Sequence, residues 1–219
     1  NDAANDVSFS ASQAVTGTLT FNQDQILDIN TKGLVMQGAD ATISGASGVR
    51  HIQTAGNASD GGLSMFVDTN ETIFYPVGVA GKYTTASATI TNFSDDGYLT
   101  ISMADAELQT TDQSGGNLLS YYWRVNHSEF TVVPRVTYEF VYDTGDDDLA
   151  DEANFFPGKV LDESPFTRSS EIQGNLATGS NTITFNNDNG TPFDVENANY
   201  TAGVTTRFDG SPTVYYSRR

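Results

Sequence analysis

The sequence predicts an all-β protein: a short parallel β-solenoid-like segment over residues 1–70, followed by an antiparallel Ig-like β-sandwich over residues 71–219. Three observations carry that expectation. Several stretches alternate apolar and polar side chains with a strict period of two, as strands buried on one face do. Shorter runs near the start recur every 7 to 14 residues between Gly, Asn, Asp and Lys separators. No segment sustains the 3.6-residue period of a helix, and only Met103–Thr110 and Leu149–Phe156 have room for a turn or two.

In chain order, Leu19–Phe21, Ile26–Ile29, Leu34–Met36, Thr42–Ser44, Val49–Gln53 and Leu63–Val67 read as strands of three to five residues. Strands this short with tight polar corners suit the rungs of a parallel β-helix, and Leu19 to Ile43 is about one three-sided turn. An ordinary β-meander is the alternative for the same pattern. From Glu71 the spacing lengthens. Thr72–Val77 is an apolar run ended by Pro76 and Gly78, and Ala86, Ala88 and Ile90 then alternate with Ser87, Thr89 and Thr91. Leu99, Ile101 and Met103 alternate with Thr100 and Ser102. Between those two runs, Asp96-Gly97 is the signal of a tight hairpin.

The densest stretch is 118–148. Tyr121, Trp123 and Val125 share one face, and Val136, Tyr138, Phe140 and Tyr142 share another across a short polar connection. These two aromatic strands are expected to form the centre of the core, with the lone Trp123 buried. Tyr122, Tyr98, Tyr200, Tyr215 and Tyr216 are expected to show a face to solvent. Ile183 with Phe185, Val204 and Val214–Tyr216 supply the last strands. The polar start at Asn1 and the strand-like Thr213–Tyr216 read as the limits of a piece of something longer.

Composition narrows the function classes. Asp and Glu number 28 against 10 Lys and Arg, a net charge of −18. Nucleic-acid binding needs basic clusters, and anionic membrane surfaces need the same, so both are disfavoured. No apolar run approaches the ~20 residues of a membrane-spanning helix. With no cysteine, no disulfide holds the chain.

Catalytic signals are weak. His51 and His127 lie in different segments, neither with a second nitrogen or sulfur ligand near it in sequence, and His127 reads as a turn residue. No G-x-S-x-G elbow appears, and no one pair among the 28 acids stands out. Gly61-Gly62 and Gly115-Gly116 lack the Lys and helix start of a phosphate loop. The acidic run after Tyr142 is the best metal candidate. Calcium takes six to eight oxygens, and carboxylates spaced in a Gly-containing loop supply several. Asp143, Asp146, Asp148 and Asp151 are the candidate ligands, although the spacing is not that of an EF-hand. A solvated acidic loop, or a short helix opened by Asp146–Asp148, accounts for the same residues.

Phe74-Tyr75-Pro76-Val77-Gly78, followed by Tyr83 and Ala88-Thr89-Ile90-Thr91, resembles a segment of large Bacteroidetes cell-surface proteins. Tyr122-Trp123-Arg124-Val125, the acidic turn from Tyr142, and Thr213-Val214-Tyr215-Tyr216-Ser217-Arg218 extend the resemblance over roughly residues 70–219. The family is type IX-secreted and adhesin-like, built from β-solenoid and sandwich modules. The resemblance implies a non-catalytic extracellular scaffold or adhesin module on the cell surface, with adjacent modules or subunits as partners. It brings no catalytic residues. The alternative is a carbohydrate-binding module of a secreted polysaccharide-degrading enzyme, with an extracellular glycan as partner.

If calcium is a structural ion at Asp143, Asp146, Asp148 and Asp151, thermal melts in millimolar calcium will exceed those in chelator by several degrees. Equal melts rule it out.

Overall fold

The computed structural model describes residues 7–108, 118–143, 154–161, 170–172, 174–186 and 192–204. Its first part is a parallel β-solenoid. The first coil contains β1 (Val7–Ser8), β2 (Gln13–Val15) and β3 (Thr18–Thr20), and the second β4 (Leu27–Asn30), β5 (Gly33–Met36) and β6 (Thr42–Ser44). β7 (Ile52–Thr54) and β8 (Gly62–Val67) belong to the third. Each strand pairs in parallel with its counterpart one coil on: Val7 with Leu27, Leu27 with Ile52, Leu34 with Leu63, and Leu19 with Ile43. The meander alternative is thereby excluded, because a meander pairs neighbours antiparallel. Leu27, Ile29, Leu34, Met36, Ile52, Leu63 and Met65 point into the coil and are buried. On the outer face Thr18 hydrogen-bonds Thr42 at 3.0 Å and the Ser44 hydroxyl donates to Thr20 at 3.1 Å. β1 and β2 escape the sequence reading because both are short and largely exposed.

The apolar run at Thr72–Val77 is not one strand. Pro76 divides it into β9 (Thr72–Tyr75) and β10 (Val77–Val79), which enter different sheets. β10 continues the solenoid, pairing in parallel with β7, and β11 (Lys82–Tyr83) folds back on it. β9 pairs instead with β12 (Ala86–Thr91). A proline ends one ladder and starts another at little cost, since it has no N–H to contribute.

The expected hairpin at Asp96-Gly97 is corrected by the structure. β12 and β13 (Gly97–Ala104) do not pair with each other; β12 lies between β9 and β15 (Arg135–Val141), and β13 between β8 and β14 (Tyr122–Ser128). The connection crosses from one sheet to the other. Asn92 takes the left-handed conformation with φ 59°, and the Phe93 N–H donates to Asn70 Oδ1 at 2.8 Å. Gly97 is required by contact, since a Cβ there would collide with the Phe130 ring. A hairpin rule keyed to φ > 0 read the right residue for the wrong reason. His127, expected on a turn, lies within β14. Met103–Ala104 end β13, and Phe155–Phe156 open β16 (Phe155–Val160), so these residues are strand; Asn154 before them is in a 3-10 turn, and residues 109–110 and 149–153 of the two stretches are outside the described residues.

β17 (Ser170–Ile172), β18 (Asn175–Ala177), β19 (Thr182–Phe185), β20 (Phe193–Asp194) and β21 (Ala198–Val204) complete the strands. One sheet of eight runs β17-β16-β21-β14-β13-β8-β5-β2, and a second runs β18-β19-β15-β12-β9 with β20 on β15. Their facing sides meet on aromatic rings. Trp123 from β14 stacks on Phe140 from β15 at 4.7 Å, and Tyr200 meets Phe185 edge-on at 4.9 Å. Trp123 is fully buried as expected, and its indole N–H donates to the Thr84 carbonyl at 3.1 Å. Tyr200 and Tyr122 are buried rather than exposed: Tyr200 faces the main core against Tyr138 and Phe185, and Tyr122 packs with Ala104, Leu108 and Val160 in a second cluster, so both faces of the paired β14 and β21 are covered. Tyr98 is part-exposed, and Tyr215 and Tyr216 are outside the described residues. Lys159 is buried with its ammonium 2.8 Å from Glu196 and 5.1 Å over the Phe193 ring, so its charge is matched.

One apolar cluster runs from Phe21 through both parts to Ala202. The seam is β8, parallel to β5 on one edge and antiparallel to β13 on the other. Gly61 and Gly62 make it possible. A Cβ on Gly61 would strike the Gly33 backbone, and Gly62 has φ +72° with the Ile101 carbonyl 2.7 Å from where its Cβ would stand. We expect Gly62→Ala to lower stability by roughly 1–3 kcal/mol or more, read as a shift of the urea midpoint. Trp123 fluorescence and far-UV circular dichroism should still change together, because both parts share one core; separated transitions or an unmoved midpoint would contradict this.

Candidate functional site

Where the solenoid meets the second sheet, three parts of the fold line an open cleft of about 370 Å³. Ile26, Gly48 and His51 come from the solenoid, Gly81, Lys82 and Tyr83 from the β10–β11 turn, and Tyr142, Asp143 and Asn181 from the ends of β15 and β19. The backbone beneath them is tied down. Leu27 N–H donates to the His51 carbonyl at 2.9 Å, Gly78 pairs with Tyr83, and Tyr142 N–H donates to the Asn181 carbonyl at 2.9 Å. Asn181 holds the left-handed conformation (φ 52°, ψ 40°) after the 3-10 turn Thr178–Ser180, which turns the chain into β19.

The aromatic wall is fixed as well. Tyr83 lies 5.0 Å from the His51 ring at a 40° tilt, with Gly48 close enough that a Cβ there would touch the ring at 3.7 Å. His51 is itself buried under β10, against Gly78. Burial raises the Tyr83 phenol above its ordinary value. Lys82 is held by its partners: the ammonium lies 2.7 Å from Asp105 Oδ1 and 5.1 Å from the centre of the Tyr121 ring. Asp143 is anchored by its backbone N–H, which donates to Tyr121 Oη at 2.7 Å.

Of the four carboxylates expected to bind calcium, Asp143 stands at this cleft, while Asp146, Asp148 and Asp151 are outside the described residues. Among the described residues no three His, Cys, Asp or Glu side chains are grouped to hold a metal ion. The two histidines are far apart in the fold: His51 underlies the cleft, and His127 on β14 lies 6.2 Å from Phe130, with its pKa lowered by burial. Sequence reading missed Lys82, Tyr83 and Asn181 as cleft residues. Lys82 and Tyr83 form the two-residue β11 and Asn181 stands between a 3-10 turn and β19, and they are brought together by strand pairing that no local spacing reveals.

Chemically the cleft offers one aromatic wall and a rim with both donors and acceptors. Comparison with protein-family models, with curated proteins and with solved structures finds no match to this chain.

The raised Tyr83 phenol has a defined consequence. A folded-state value above the unfolded ~10 favours the neutral phenol in the native protein, so its contribution to stability is full below that pH and is lost as pH rises through the folded value. We expect Tyr83→Phe to flatten the fall in melting temperature above about pH 10 and to remove one late-titrating phenol from the ultraviolet difference spectrum. An unchanged alkaline limb would show that Tyr83 titrates normally.

Proposed function

We propose that this chain is a non-catalytic extracellular structural and adhesive module of a large bacterial surface or filament protein. The observation that carries the reading is the unbroken eight-stranded sheet from β2 in the first coil to β17. Load entering at the solenoid is passed through inter-strand hydrogen bonds into the antiparallel half, with no linker between them, and one shared core resists shear between the parts. The second half fits this role as an Ig-like sandwich, its two sheets closed on the Trp123–Phe140 and Tyr200–Phe185 contacts.

The partners are adjacent modules or subunits. β1 and β2 are edge strands, and Val7, Phe9, Val15 and Leu19 in the first coil are less buried than Ile29, Met36 and Ile52 in the coils behind it. An in-register strand from a neighbour would extend the parallel ladders and cover these side chains. The resemblance of the FYPVG and YWRV segments to Bacteroidetes surface modules supports the same placement, with type IX export and calcium in the acidic loop as parts of the proposal. A second reading, a carbohydrate-binding module of a secreted enzyme, is favoured by the aromatic-walled cleft.

Pulling the chain by its two ends in a force spectrometer is expected to give one rupture that releases both parts together, and protease added to intact source cells is expected to cut the chain. A low-force peeling of the solenoid before the rest, or protection of the chain until the cells are lysed, would overturn the proposal.

A further inference from the structure

We propose that the cleft between the solenoid and the second sheet is a binding site for a neutral saccharide, taking one or two pyranose units against Tyr83. A pyranose has two kinds of surface, a C–H face that packs on an aromatic ring and a rim of hydroxyls that each donate and accept. The cleft matches both. Tyr83 provides the ring, packed on one side against the buried His51 at 5.0 Å so that little ordering is needed on binding. Around it stand a donor in Lys82, an acceptor in Asp143, and in Asn181 a carboxamide that does both. A rim of one sign would select an ion, whereas this mixed rim suits hydroxyls.

Size and place agree. The volume of about 370 Å³ lies within the range of small-molecule clefts, and such sites favour the junction between structural units. Charge narrows the class further. The Lys82 ammonium is balanced by Asp105 at 2.7 Å, Asp143 adds a negative group, and the whole chain carries −18. The field at the cleft therefore repels uronates and other acidic sugars, leaving neutral ones. The tyrosines expected from the sequence to face solvent do not include Tyr83, which only the β10–β11 pairing and the return of β15 bring into position.

The inference rests on the second reading above, that of a carbohydrate-binding module, and names its site and sugar class; the pulling response tests the spacer role without any sugar present. To test the site, the 219-residue chain would be titrated with cellobiose, maltose, lactose and mannobiose, with digalacturonate as the acidic control, by ligand-observed NMR. Saturable binding of at least one neutral disaccharide is expected, weaker or absent for digalacturonate. Tyr83→Ala should weaken it by about tenfold or more, as should Asn181→Gly, which keeps the left-handed backbone while removing the carboxamide. The second variant guards against a folding defect in the first, and circular dichroism of each confirms the fold. No saturable binding by any of the four, preference for digalacturonate, or unchanged affinity in folded Asn181→Gly would overturn the proposal.

Discussion

The structure depends on one strand with two different neighbours. β8 accepts a parallel partner, β5, along one edge and an antiparallel partner, β13, along the other, so that Leu63 stands between Leu34 and Ile101 in one continuous row. Parallel and antiparallel ladders place their hydrogen bonds differently, and a strand serving both must meet two spacings at once. The chain solves this at the entry to β8 with Gly61 and Gly62, which let three backbones approach where side chains would collide. Without that seam the solenoid and the antiparallel half would be two small cores, each burying a smaller share of its surface.

Continuity of the sheet also explains the aromatic layer. Where the solenoid supplies Leu, Ile and Met from short rungs, the space between the two larger sheets is filled by Tyr75, Tyr121, Trp123, Tyr138, Phe140, Phe185 and Tyr200. Buried tyrosines carry a hydroxyl that needs a place. Tyr75 donates to the Leu99 carbonyl at 2.9 Å, and Tyr121 accepts from the Asp143 N–H. The latter bond links core to cleft, because it fixes the residue at the end of β15 on which the cleft's rim depends. Burial raises the Tyr138 phenol, with Glu196 adding to the effect, so that hydroxyl remains neutral inside the core.

The cleft is a product of the same join. Its walls belong to the solenoid, to the β10–β11 turn and to the ends of β15 and β19, and it exists because the second sheet closes beside the coil stack. In the role proposed above, rigidity would serve twice: it would transmit load along the sheet, and it would keep Tyr83 in place for the proposed sugar.

Alternation along the chain determined that the protein is all-β, and it assigned the inward faces of β12, β14 and β15 residue by residue, since a period of two leaves each side chain one choice of face. Short runs with polar corners also told of the coils, down to the pairing of Leu19 with Ile43. Tertiary structure alone decided which strands became neighbours. Asp96-Gly97 joins two sheets where a hairpin was expected, Pro76 splits one apolar run between two ladders, and Tyr200 and Tyr122 are buried because both faces of their strands are covered. Local sequence encodes which side of a strand is apolar, whereas partner choice depends on closing long loops and filling a shared volume. The cleft follows from partner choice, so its residues were illegible until the ladders were assembled.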